Sequence, residues 1–145
     1  MTVADTWFAT RGSEDIEVLA NRMGTWGPAL AWATVLFLLS ALPAVGGFRV
    51  PYGDKLAHLL LYAVLGATLA WGWFRAGGRI SHLLLLVIGA LYGMTYEWHQ
   101  LYVPGRVPDP ADWFADVTGL VLGYGTTVAL LGRTGIAEDD AKDSI

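Results

Sequence analysis

Apolar residues run along the chain in four long blocks, 28–45, 56–74, 80–102 and 113–131, separated by short polar or glycine-rich intervals. A hydrocarbon core about 30 Å thick takes roughly 20 helical residues to cross, and each block is of that order. The intervals, "GGFRVPYGD", "RAGGR" and "VPGRVPDPAD", allow only antiparallel neighbours. The pattern therefore predicts an all-α fold, a four-helix transmembrane bundle running up-down-up-down. It divides the chain into an N-terminal segment 1–27, a transmembrane domain 28–132 and an acidic tail 133–145 carrying "EDDAKD", expected as a solvated, mobile end. The first block reads as a retained helix and not as a signal peptide. It starts late, follows Glu14, Asp15 and Glu17, and is longer than a typical apolar signal core.

Composition agrees with this reading: the 145 residues are 54% hydrophobic and only 15% charged, with a net charge of −4. There is no cysteine, so disulfides and thiolate chemistry are excluded and any metal would need oxygen or imidazole ligands. Nothing resembles the basic patch that nucleic-acid binding requires. Four crossings put both termini and "RAGGR" on one side, with Arg11, Arg22, Arg75, Arg79, Arg133 and Lys142, against Arg49, Lys55 and Arg106 on the other. Positive charge favours the cytoplasmic side, so both termini are expected in the cytoplasm, with the first and third loops outside. Tyr52, Tyr92, Trp98, Tyr102 and Trp113 fit an interfacial aromatic belt.

This topology gathers at one outer surface groups that are far apart in sequence. Asp54, Lys55 and His58 begin the second helix, Glu97 and Gln100 end the third, Arg106 lies in the loop, and Asp112 and Asp116 begin the fourth. Asp54 and His58, Glu97 and Gln100, and Asp112 and Asp116 are three or four residues apart, so each pair shares a helical face. The faces continue as Gly89 and Gly93 on the third helix and Gly119 and Gly123 on the fourth, small-residue stripes that let membrane helices approach closely. The packing stripe thus carries the charge, and a shared outer pocket follows, shielded by a first helix that has no ionisable group in its span.

Some of these groups have simpler explanations. Asp112 suits a helix cap before Trp113, and Asp109, between Pro108 and Pro110, suits a turn. His99 is off the shared face and reads as an interface residue, and His82 lacks an acidic neighbour. Glu97, His58 and Asp116 lie about a turn inside their helices, where ionisable groups need partners and are functional candidates. Tyr62, four residues after His58, can enter the same pocket.

"DKLAHLLLY" at 54–62, "YGMTYEWHQLYVPGR" at 92–106 and "DWFADVTGLVLG" at 112–123, in that order, resemble the VanZ-like family of small bacterial membrane proteins. The resemblance covers helices two to four and carries over Asp54, Lys55, His58, Glu97, Gln100, Arg106, Asp112 and Gly119; Asp116 departs from the family's usual Asn. The family's founding member is associated with resistance to the glycopeptide teicoplanin, which implies a role in the cell envelope.

The chemistry first expected is binding, with or without modification, of a phosphate- or sugar-bearing lipid or lipid-linked cell-wall intermediate. Glu97 and His58 would be its acid/base pair, and Lys55, Arg106, Gln100 and Asp54 would bind substrate. Asp112 and Asp116 would hold a divalent cation such as Mg²⁺ or Ca²⁺. No motif specific to catalysis is present. The alternatives are a proton- or ion-coupled transport subunit and a non-catalytic structural or adaptor protein. Against transport, helices two to four have no ionisable group near the bilayer middle and the halves show no inverted repeat.

Overall fold

A computed structural model describes residues 3–42 and 52–143; most of the first loop, with Arg49 and the end of the first predicted block, lies outside the described residues. It contains four helices, α1 Val3–Ser40, α2 Gly53–Arg75, α3 His82–Gln100 and α4 Pro110–Asp143, and no strand among the described residues. Three have stretches long and apolar enough to cross a membrane: Ala20–Ser40 of α1, all of α2, and Pro110–Thr134 of α4. The expectation of four such helices is thus met by three. The exception, α3, has only 19 residues, and its last turn is given over to Glu97, His99 and Gln100.

Two helices are longer than their apolar blocks. α1 starts at Val3 and runs through Pro28, the first residue of the apolar block. Inside the helix Pro28 removes one hydrogen bond, leaving the Gly24 carbonyl without its usual donor, and the helix continues on both sides. α4 likewise continues through the acidic tail to Asp143. Its Ala, Glu, Asp and Lys residues include no proline to stop it.

α2 and α4 pack most intimately. A methyl group on Gly119 would overlap the Leu59 carbonyl, one on Gly123 the Ala63 carbonyl, and one on Gly66 the Leu120 carbonyl. Backbone therefore lies directly on backbone, as small-residue stripes allow. α3 rests on α4 through Gly89, where a Cβ would come within 2.7 Å of Leu120 Cδ2, and Trp113 Nε1 donates to Ala90 O at 3.0 Å. α1 covers α2: the Trp26 ring lies over Gly72, and Trp32 Nε1 donates to Leu61 O at 2.9 Å. Leu36, Tyr62, Leu65 and Leu120 form the core where these contacts meet. Gly77 and Gly78, with φ of 70° and 68°, take the left-handed conformations that turn α2 into α3. Leu30, Leu60, Leu83, Ile88, Leu122 and Leu130 are each at least half exposed, an apolar outer surface suited to lipid.

Candidate functional site

At one end of the bundle the interior changes character. Ser40, His58, Glu97, Gln100, Asp112 and Asp116 are buried there, and Thr25 is the only buried polar side chain elsewhere among the described residues. Helical spacing sets the arrangement: His58 lies one turn above the core residue Tyr62, Glu97 one turn above Gly93, and Asp116 three residues before Gly119. Because the glycines draw the backbones together, the polar groups one turn further out converge.

His58 is the centre. Its Nδ1 is 2.9 Å from Asp116 Oδ1 and 3.9 Å from Glu97 Oε1, and its Nε2 is 3.9 Å from Asp112 Oδ2. Asp116 is fully buried, and its second oxygen, Oδ2, has no hydrogen-bond partner. Glu97 is held loosely: Gln100 Nε2 donates to Oε1 at 3.4 Å and the Asp109 amide to Oε2 at 3.3 Å. Lys55 forms the second half of the cluster, 2.7 Å from both Asp109 Oδ2 and Asp112 Oδ1. Asp112 and Asp116, expected together as cation ligands, thus face different partners, Lys55 and His58. The set offering three ligand-type atoms, all within 4.8 Å of one another, is His58, Glu97 and Asp116.

The remaining expected residues lie at the rim. Asp54 is largely exposed and 3.8 Å from Lys55 Nζ, and Arg106 Nε donates to Leu42 O at 3.3 Å, tying the third loop to the end of α1. Asp109 is a turn residue, with Oδ1 accepting from the Ala111 amide at 2.9 Å, but its Oδ2 also takes Lys55. Its place in the cluster was missed because local sequence reports the turn and not the cation that arrives from α2. His99 Nδ1 is 3.3 Å from Ser40 Oγ and so joins α3 to α1. At the opposite end His82 Nδ1 is 2.8 Å from Tyr124 OH, a link between α3 and α4 that its apolar neighbours had concealed. A pocket of about 240 Å³, lined by Met94, Glu97, Pro108, Asp109, Pro110 and Trp113, opens onto Glu97 between α3 and the start of α4.

A family model described as VanZ/LLP1 matches residues 9–131, which include every residue of this cluster. The chain belongs to the VanZ/LLP1 family. The resemblance seen in the motifs of α2, α3 and α4 is thereby established, and with three span-capable helices the chain is a VanZ-like membrane protein. Comparison with curated proteins finds no match, and comparison with solved structures finds none.

In this VanZ/LLP1 chain Lys55 holds two carboxylates from the third loop and α4, so it fastens the loop to α2. Lys55 and the Ala111 amide hold Asp109 below the usual carboxylate range. A lowered carboxylate contributes stability above its unfolded value and loses it only as pH falls through the lowered one, so the tether persists into mildly acidic solution. Lys55→Gln is expected to speed amide hydrogen exchange across 103–110 while leaving the α2 and α4 core amides unchanged. Unaltered exchange in that loop would show that the ion pairs do not hold it.

Proposed function

We propose that this VanZ-family protein binds the polar head of an envelope amphiphile at the outer surface of the bacterial cytoplasmic membrane. In this reading α3 crosses the bilayer beside α1, α2 and α4, both termini are cytoplasmic, and the buried cluster faces outward. The observation that carries the proposal is the pocket against Glu97. A volume of about 240 Å³ is below the roughly 300–1,000 Å³ of pockets that enclose a drug-sized ligand, and suits one sugar ring or a comparable head with its tail left outside. Trp113 and Met94 give it an apolar wall. The surface facing the cavity is almost wholly apolar, with the Glu97 carboxylate behind it, and the long hydrogen bonds to Glu97 are readily exchanged for shorter ones to ligand hydroxyls.

Charge favours a hydroxyl-rich head over a bare phosphate at the pocket itself. Glu97 and Asp109 line it and Asp112 and Asp116 belong to the cluster behind, with Lys55 as the one lysine or arginine paired to them among the described residues. Arg106, at the rim and bonded among the described residues through Nε to Leu42 O, would offer its other guanidinium donors to a phosphate that projects outward. Glu97 beside His58 is the pair that would move a proton if the bound head is modified.

The test is native mass spectrometry of the full-length protein purified in mild detergent. Wild type is expected to retain a sugar-bearing lipid, Met94→Trp, which fills the pocket, to lose it, and Arg106→Ala to lose phosphorylated forms selectively. No retained glycolipid, or equal retention by Met94→Trp, would refute the proposal.

A further inference from the structure

Glu97 and Asp116 raise a question of charge that the headgroup reading does not answer. Both are buried, and among the described residues neither has a lysine or arginine within ion-pair distance; the only basic group facing them is the His58 imidazole. Asp109 and Asp112 have already taken Lys55. Two carboxylates removed from water against one imidazole cost several kcal/mol each unless a proton or a further cation is taken up. The fully buried Asp116 also keeps Oδ2 without a hydrogen bond, which a native interior rarely tolerates without a reason.

We propose that His58 Nδ1, Glu97 Oε1 and Asp116 form a three-ligand site for a divalent transition-metal ion of the Zn²⁺ type. Bonds of about 2.0 Å in a tetrahedral arrangement separate neighbouring ligand atoms by roughly 3.3 Å. The Nδ1 distances of 2.9 Å to Asp116 Oδ1 and 3.9 Å to Glu97 Oε1 bracket that value, and the ligand atoms of the three residues all lie within 4.8 Å of one another, so modest side-chain shifts close the site. Imidazole with two carboxylates favours a borderline ion over Mg²⁺ or Ca²⁺, which take all-oxygen sets. His58 carries its own orienting group: with Nδ1 on the metal, the proton sits on Nε2, which faces Asp112 Oδ2 at 3.9 Å and needs only a small approach to donate. A carboxylate behind a ligating imidazole is a recurring feature of metal sites. Three protein ligands leave a fourth position for water or a ligand group. Glu97, whose Oε2 accepts from Asp109 in the pocket wall, connects that position to the pocket.

The assignment rests on side-chain geometry and stands or falls apart from the headgroup reading. It is tested on delipidated full-length protein in detergent, stripped with chelator, incubated with Zn²⁺, desalted and assayed for metal by elemental mass spectrometry. One Zn²⁺ per chain is expected, lost in Asp116→Asn and Glu97→Gln and kept in His99→Gln, whose histidine lies outside the cluster. Asp112→Asn is expected to weaken affinity about 10- to 100-fold. Co²⁺ added to the wild type gives a second readout that does not depend on any variant folding, since a four-coordinate site produces intense visible absorption. Folded wild type that retains neither ion, a site that takes only Mg²⁺ or Ca²⁺, or full occupancy in Asp116→Asn would each overturn the proposal.

Discussion

Gly119→Ala unfolds the bundle at markedly lower temperature than wild type, although it adds one methyl group to a helix that ordinarily gains from alanine. Helix propensity alone favours the change by about 1 kcal/mol. At Gly119, however, the new Cβ would overlap the Leu59 carbonyl, with the Leu59 Cα 3.0 Å away. Backbone cannot swing aside as a flexible side chain can, so α2 and α4 must separate. The expected cost is about 3 kcal/mol, the upper part of the usual range for overpacking a tight core. Gly123→Ala, against the Ala63 carbonyl, behaves the same way. The matched control is Gly125→Ala on the same helix, where nothing lies within 4 Å and stability is expected to rise. Thermal unfolding of the three variants in one detergent decides the matter: equal midpoints for Gly119→Ala and Gly125→Ala would mean that α2 and α4 do not meet as described. The separation also draws His58 away from Asp116, so Gly119→Ala is expected to disturb the cluster from a residue that has no polar atom in it.

That coupling explains which parts of the site were readable in the sequence. Gly119 and Gly123 continue the face of Asp112 and Asp116, and Gly93 that of Glu97, so helical periodicity alone aligned the close contacts with the charges. Periodicity reports faces within a helix, but it cannot say which group on one helix meets which on the next. Asp112 and Asp116 share a face, yet Asp112 pairs with Lys55 as well as facing His58, and Asp109 looked like a turn residue only, yet it shares the same ammonium. Nor does periodicity show that Arg106, in the third loop, reaches Leu42 O at the end of α1. Helix ends were misjudged for a different reason. The apolar blocks mark what is suited to lipid, whereas hydrogen bonding along α1 and α4 continues into polar sequence wherever no residue prevents it.

His58→Leu is expected to cost about 3–5 kcal/mol, the usual consequence of removing one partner of a buried ion pair and leaving the other charge uncompensated. Asp116 has nowhere to turn: it is fully buried, and its Oδ2 already lacks a hydrogen-bond partner. Asp116→Leu is expected to cost less, because His58 keeps the Glu97 and Asp112 carboxylates, each 3.9 Å from one of its ring nitrogens. The double variant His58→Leu/Asp116→Leu leaves Glu97 as the one carboxylate of the pair still facing no basic group, whereas His58→Leu leaves both, so the double variant is expected to be more stable than His58→Leu alone. A double-mutant cycle read from denaturant or thermal unfolding gives the coupling directly. If the double variant loses the sum of the two single losses, His58 and Asp116 act independently and the 2.9 Å contact carries no energy of its own. The double variant separates fold from function more sharply than either single change. A cluster serving only to lock three helix ends together would leave such a protein competent in every assay. A cluster that holds a cation or a polar head would leave it folded and unable to bind.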